Sequence, residues 1–183
     1  MNQSIPGPIQ GLVRLCLIPA LAVSLFCGCA YQTVSHLKRN PWQVGQAQSL
    51  KMKYLEFHYV CSQETDSLRV EGSALIRQDT VPDWVGHARD VWLGAYLSDR
   101  RGSVLAKDLI ILNSQKLDMR TGFQFEVQLE PEDMGSPGPL FLTFGYRLVL
   151  TADPEAEQAP ETASDSDREK AVFFASESSL LNL

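Results

Sequence analysis

The sequence predicts an all-β fold, a small antiparallel β-sandwich of about six to seven strands. Apolar residues alternate with polar residues at every second position over several segments, and turn-forming residues separate these segments. No segment of the central domain repeats its apolar residues with the helical period of 3.6. The chain has 183 residues and a formal net charge of -6, and this length fits one domain with additional terminal segments.

Residues 1–28 are predicted to be an export signal. An apolar run extends from Leu15 to Phe26, directly after Arg14. Twelve residues of helix span about 18 Å, which is short of the roughly 30 Å hydrocarbon core of a bilayer. The run is therefore typical of the core of a signal peptide rather than of a membrane-spanning helix.

The residues that follow, Leu25 to Ala30, resemble the lipobox of bacterial lipoproteins. In that pattern an apolar residue and a small residue, here Gly28, precede a cysteine whose thiolate accepts a diacylglycerol. The resemblance implies that mature Cys29 carries three acyl chains, which are enough for stable membrane anchoring. The family's sorting habit implies the periplasmic face of the outer membrane, because Ala30 stands where Asp would retain the protein. A cleaved secretory peptide and a short uncleaved anchor are the alternatives.

Three zones follow the signal. Residues 29–50 are polar and are predicted to be a disordered tether, residues 51–151 to be the sandwich domain, and residues 152–183 to be an acidic, mostly disordered tail. The tail holds eight acidic and two basic residues, so the acidity of the chain is local. Its apolar island, Ala171 to Ala175, is open to three interpretations: an edge strand, a short helix or a partner-binding segment. We favour loose docking, and we therefore expect truncation after Thr151 to leave stability nearly unchanged.

Five segments of the domain alternate clearly, and their buried faces follow from a period of two. A sixth strand is expected around Val104 to Leu112, with a less regular pattern. The residues predicted to share the buried face of each strand are, strand by strand, Leu55, Phe57, Tyr59 and Cys61; Leu68, Val70, Gly72, Ala74 and Ile76; Val91, Leu93, Ala95 and Leu97; Phe123, Phe125, Val127 and Leu129; and Leu140, Leu142, Phe144, Tyr146, Leu148 and Leu150.

The stretch Val70 to Leu129 resembles the immunoglobulin-like sandwich domains of bacterial envelope proteins that carry a Phe-x-Leu-Tyr-Asp signature. The matching segments are Val70-Glu71-Gly72, Tyr96 to Gly102, and Arg120 to Phe125. The resemblance implies an immunoglobulin-like fold for the domain. It implies no catalytic residues, because that family brings none and its motifs mainly describe hairpin geometry.

Composition and motifs argue against several classes of function. A sequence pI of about 5.0 disfavours a nucleic-acid binder, which needs clustered Lys and Arg. No nucleophile elbow, zinc-protease motif or phosphate-binding loop is present, so we predict no enzyme, no catalytic residue, no metal and no cofactor. Cys61 and His58 are three apart on a strand and therefore point to opposite faces. Glu56 and His58 share a face but lack further metal ligands.

Aromatic residues are the candidates for partner binding. Trp92 and Tyr96 share the strand face opposite Leu93, and Trp84 lies in a preceding loop. Aromatic rings supply contact area at a small entropic cost. The same face is equally consistent with coverage by the tether, by the Trp84 loop or by the apolar island.

These observations predict a lipid-anchored envelope protein that acts as a non-enzymatic binding or structural module. The expected partners are the membrane, through the N-terminal lipid, and an envelope protein. The alternative is a periplasmic ligand-binding or enzymatic protein that uses the loop around Trp84 and His87.

Overall fold

Alternating apolar and polar residues form twelve β-strands in the computed structural model, which describes residues 31–65, 67–132, 138–152 and 172–182. One short 3₁₀ turn lies at Gln78–Thr80, and the described residues form no α-helix. The strands are β1 (Tyr31–Thr33), β2 (Asn40–Pro41), β3 (Ala47–Lys51), β4 (Leu55–Gln63), β5 (Leu68–Ile76), β6 (His87–Ser98), β7 (Val104–Leu112), β8 (Gln115–Lys116), β9 (Phe123–Leu129), β10 (Phe141–Thr151), β11 (Val172–Glu177) and β12 (Leu180–Asn182).

The strands build two antiparallel sheets that pack face to face. Sheet 1 has the order β3-β4-β5-β9. Sheet 2 has the order β11-β10-β6-β7, with β2 added to β10 and β8 added to β6. A separate two-stranded ribbon joins β1 and β12. The predicted antiparallel sandwich is therefore confirmed.

Part of the strand order is similar to that of immunoglobulin-like domains. In such domains strands B and E pair in one sheet, while strands C, F and G form the other. Here β5 pairs with β9, as B pairs with E, and the order β7-β6-β10-β11 corresponds to C′-C-F-G. Strand D has no counterpart among the described strands, so β9 forms the edge of sheet 1.

The core lies between the sheets and centres on stacked aromatic rings. Phe57 of β4 and Phe144 of β10 lie parallel, with ring centroids 4.1 Å apart and an interplanar angle of 5°. Phe125 of β9 and Tyr59 of β4 meet the Phe144 ring edge-on. Cys61 is buried and free, so packing of side chains rather than a disulfide joins the two sheets among the described residues.

The predicted inward residues are buried along the clearly alternating strands, except Gly72 and Leu140, which are partly buried. In β9 the pattern is strict, with Phe123, Phe125, Val127 and Leu129 buried and the residues between them exposed. In β10 the inward residues from Leu142 to Leu150 are buried, and Arg147 is the one exposed residue of that strand. A period of two therefore identified the core correctly.

Residues 31–50 differ from the prediction, because they are part of the fold and not a disordered tether. Val34 is fully buried, β3 pairs with β4, and Asn40 donates hydrogen bonds to Ser49 O and Tyr59 Oη. The reason is that short edge strands gain stability through backbone pairing, so their side chains stay polar and give no alternating pattern. The domain therefore begins well before Lys51.

The apolar island also belongs to the fold. It forms β11, which pairs with β10 from Val172 against Thr151 to Glu177 against Tyr146. Ala175 is buried, and the Tyr146 hydroxyl donates a hydrogen bond to Glu177 Oε2 at 2.5 Å. The edge-strand interpretation is confirmed for this segment, while residues 153–171 lie outside the described residues.

Replacing Phe144 with Ala is expected to cost about 3–5 kcal/mol of unfolding free energy, because it removes the ring that Phe57, Tyr59 and Phe125 of sheet 1 all contact. Denaturant unfolding monitored by circular dichroism measures the loss. Phe174→Ala is the matched control, since Phe174 is 57% exposed, and it should cost less than about 1 kcal/mol. Equal losses for the two variants would contradict this account of the core.

Truncation after Thr151 is expected to destabilise the domain by more than about 2 kcal/mol, because it exposes the β10 ladder and removes the acceptor of the buried Tyr146 hydroxyl. This outcome is the reverse of the sequence-based expectation. Ala175→Lys should destabilise similarly by placing a charge inward, whereas Ser176→Lys, one residue further along β11, should not. A truncated chain with unchanged melting would show that β11 adds nothing to the fold.

Candidate functional site

The outer face of sheet 2 carries the aromatic residues predicted from the sequence. Trp92 and Tyr96 of β6 are partly buried and point away from the core, whereas Leu93 between them is buried at 2% exposure. The alternation of a strand produces this arrangement directly. Their predicted placement on one outward face is therefore confirmed.

A cation stacked between two rings forms one wall of this surface. The Arg147 guanidinium lies 5.4 Å from the ring centroid of Trp92 and 5.6 Å from that of Phe174. The Trp92 indole Nε1 donates a hydrogen bond to Asp90 Oδ1 at 2.6 Å. Arg147 Nη2 lies 3.8 Å from Asp90 Oδ2. Three strands, β6, β10 and β11, thus hold the stack in place.

Two glycines form a low floor beside the stack. Gly94 of β6 and Gly145 of β10 are paired across the strands. A Cβ on Gly145 would lie 2.9 Å from Cε2 of Tyr96, so only glycine lets this ring lie against the sheet. The floor and its walls enclose a groove of about 350 Å³. An adjoining hollow of about 320 Å³ is lined by Gln32, Tyr96, Lys107, Asp108 and Leu109.

Exposed aliphatic and aromatic side chains border the groove on both sides. Leu109 and Ile111 of β7 are 50% and 61% exposed, and Phe174 of β11 is 57% exposed. Ile111 pairs with Trp92 across the strands, and Leu109 pairs with Gly94. We call this surface the open face and define it by Trp92, Tyr96, Leu109, Ile111, Arg147 and Phe174. Contiguous exposed apolar surface on a soluble domain typically marks an interaction site.

The N-terminal segment covers only one end of the outer face. The Thr143 hydroxyl donates a hydrogen bond to Lys38 O, and β2 pairs with β10 at Phe141 and Leu142. Ser98 is consequently fully buried. The polar segment predicted as a tether therefore covers one end of this face, whereas the apolar island extends the sheet as β11 and contributes Phe174 to the open face.

The Asp108 side chain accepts hydrogen bonds from the backbone at the edge of β7. Asp108 Oδ1 accepts a hydrogen bond from the backbone N–H of Leu109 at 2.8 Å, and Asp108 Oδ2 accepts one from that of Gln128 in β9 at 3.0 Å. One carboxylate therefore satisfies donors at the edges of both sheets. A charge held at an edge blocks the addition of a further strand there. The open face, rather than the β7 edge, is left for binding.

Asp108→Ala should lower the unfolding free energy by about 1–3 kcal/mol and promote association through the unblocked edges, because two backbone donors lose their acceptor. Denaturant unfolding and sedimentation velocity measure the two effects. Asp83→Ala, at an exposed loop position, serves as the control and should change neither. A monomeric Asp108→Ala protein of unaltered stability would refute the edge-closing role.

Trp84 and His87 do not join the groove. Trp84 is 41% exposed in the loop before β6, and it is not among the described residues that line the groove. His87 Nε2 makes a hydrogen bond of 2.8 Å with Ser114 Oγ. Cys29, the predicted lipidation site, lies outside the described residues.

Cys61, His58 and Glu56 were the titratable residues considered from the sequence. Cys61 is buried while His58 is exposed on the other face of sheet 1, as their spacing predicts. Burial raises the pKa of the Cys61 thiol to about 12, which makes it a poor nucleophile. His58 Nε2 and Glu56 Oε1 are 3.6 Å apart. No group of three or more potential metal ligands occurs among the described residues.

Comparison with protein-family models, curated proteins and solved structures found no match. In the part of the chain that the structure describes, no helix has the length and apolar character needed to cross a bilayer. The open face must therefore be interpreted from its own chemistry.

Four residues of the open face were not predicted from the sequence: Leu109, Ile111, Arg147 and Phe174. The sequence gives some indication of Arg147 and of the two β7 residues. Arg147 is the one charged residue in an otherwise apolar strand, and β7 has aliphatic residues at consecutive positions, so one of each pair must point outward. The pairing of distant strands that gathers these residues has no local signal.

Proposed function

We propose that this chain is a lipid-anchored, non-enzymatic binding module of a bacterial cell envelope, attached through Cys29 and acting through the open face. The observation that carries the binding role is the Trp92–Arg147–Phe174 stack beside exposed Leu109 and Ile111. Aromatic, arginine and aliphatic side chains of this kind supply most of the energy in binding interfaces. The lipobox resemblance supports the anchor.

The alternative role for the Trp84 loop has less support. His87 has a hydroxyl partner, Ser114, and no described carboxylate or thiol completes a catalytic group with it. Neither Trp84 nor His87 lines the groove of the open face. Binding without catalysis is the function that the side chains favour.

The anchor is tested by Cys29→Ser in the full chain produced in bacterial cells. Metabolic labelling with a fatty acid should label the unaltered protein and fail to label this variant, because the thioether needs the thiol. Cys27→Ser is the matched control two residues away and should remain labelled. Labelling that persists in Cys29→Ser would contradict anchoring at this residue.

The binding surface is tested by cysteine accessibility in intact envelopes. Ile111→Cys is expected to be protected from a maleimide in the envelope and to react after detergent extraction. Gln124→Cys, exposed on the outer face of sheet 1, should react in both states. Cys61 is not expected to react with the maleimide, because it is buried. Equal reactivity at the two introduced positions in the envelope would exclude the open face as an occupied surface.

A further inference from the structure

We infer that the open face lies against the bilayer, so that the lipid surface itself is its partner. This inference rests on the proposed lipid anchor and adds the orientation of the sandwich on the membrane. A lipid interface has an anionic headgroup layer above a hydrocarbon boundary. A protein surface that binds to such an interface therefore needs exposed apolar side chains with cations beside them.

The sequence separation between the proposed anchor and this face is short. Ala30 and Tyr31 are the only residues between Cys29 and Gln32. Three Cα–Cα steps of the backbone extend at most about 11 Å. Gln32 lines the hollow beside Tyr96, Lys107 and Leu109. A lipid on Cys29 would therefore limit how far Gln32, and the hollow that it lines, can lie from the bilayer.

The charges of the open face complement an anionic surface. Arg147 and Lys107 point outward from β10 and β7, and Lys107 is exposed. Asp90 is the acidic residue on the same face, and it is engaged by Arg147 and by the Trp92 indole. Each cation near an anionic bilayer adds attraction that falls off within a Debye length.

The outer face of sheet 1 has the opposite character. Glu56, Glu71 and Glu126 lie on it, with Arg69 paired to Glu126 at 2.6 Å. Among the described residues, no exposed large apolar residue lies within β3, β4, β5 or β9, although Val44, which precedes β3, bridges to Cys61 of β4. The open-face strands β7 and β11 hold Leu109, Ile111, Val172 and Phe174. Sheet 1 is thus suited to water, and the two faces together orient the sandwich.

The arrangement of the open face matches the geometry of an interfacial surface. Leu109, Ile111 and Phe174 project as separate aliphatic and aromatic side chains, each beside a cation or a ring. The long Arg147 side chain lines the groove and is 49% exposed, as cationic side chains are at membrane interfaces. The rings of Trp92 and Tyr96 already contact Arg147 and the glycine floor, which leaves little flat ring surface for stacking a sugar.

The experiment uses the mature acylated protein in vesicles of phosphatidylcholine with about one-third phosphatidylglycerol, with an environment-sensitive fluorophore on an introduced cysteine. A label at Ile111→Cys should be quenched by lipids that carry a headgroup nitroxide. A label at Gln124→Cys on the outer face of sheet 1 should remain unquenched. Ser176→Cys, a groove residue on β11, repeats the measurement should the Ile111 variant fold poorly.

Charge-reversing substitutions test the electrostatic attraction between the open face and anionic lipid. Lys107→Glu with Ser176→Glu should lower quenching at Ile111→Cys about tenfold on anionic vesicles, and much less on pure phosphatidylcholine. Lys51→Glu with Ser62→Glu makes the same chemical changes on sheet 1 and should not lower quenching. Equal effects of the two pairs would overturn the role of the charges.

The outcomes separate this inference from the proposed anchor. Protein that washes off the vesicles in alkaline carbonate refutes the anchor before any quenching is measured. Protein that stays bound while Ile111→Cys remains unquenched overturns the inference and leaves the anchor standing. If that unquenched position is nevertheless protected from maleimide in intact envelopes, the open face binds an envelope protein instead of lipid.

Discussion

The stacking of Phe57 on Phe144 is the contact on which the rest of the structure depends. These rings come from different sheets and lie parallel at 4.1 Å, and the sandwich has no disulfide among its described residues to replace them. The strand that supplies Phe144 inward supplies Gly145 and Arg147 outward. Because successive side chains of a strand alternate, fixing Phe144 in the core also fixes the position of the groove floor and of the stacked cation. Core packing and surface geometry are therefore set by the same few residues of β10.

Sequence periodicity predicted the interior well, because burial on one face of a strand imposes a strict alternation. The residues of β4, β9 and β10 are the clearest examples. It failed at residues 31–50 and at β11, where stability comes from backbone pairing at the edges of a sheet. His36, for example, contacts Ser178 O across 142 residues of sequence. Contacts over such separations leave no trace in the local composition, and polar edge segments resemble linkers.

The open face was predicted only in part, because some of its residues are brought together by the pairing of distant strands. The alternation around Leu93 places Trp92 and Tyr96 outward, and this needs only one strand. The partners of Trp92 come from β10 and β11, whose register against β6 depends on the whole topology. A bulge between Val149 and Leu150 shifts that register near the end of the strand. Arg147 and Phe174 could not be assigned to this surface before the strand order was known.

The closing of the β7 edge by Asp108 limits how this sandwich can interact. A free edge would favour pairing with any extended strand, including that of a second copy, and the Asp108 carboxylate removes the donors that such pairing needs. The proposed binding would therefore use side chains of the open face instead of backbone hydrogen bonds at the β7 edge. Side chains discriminate between partners by polarity and charge. With the proposed anchor three residues before Gln32, a face of this composition and a polar sheet 1 opposite to it favour the proposed orientation of the sandwich on a membrane.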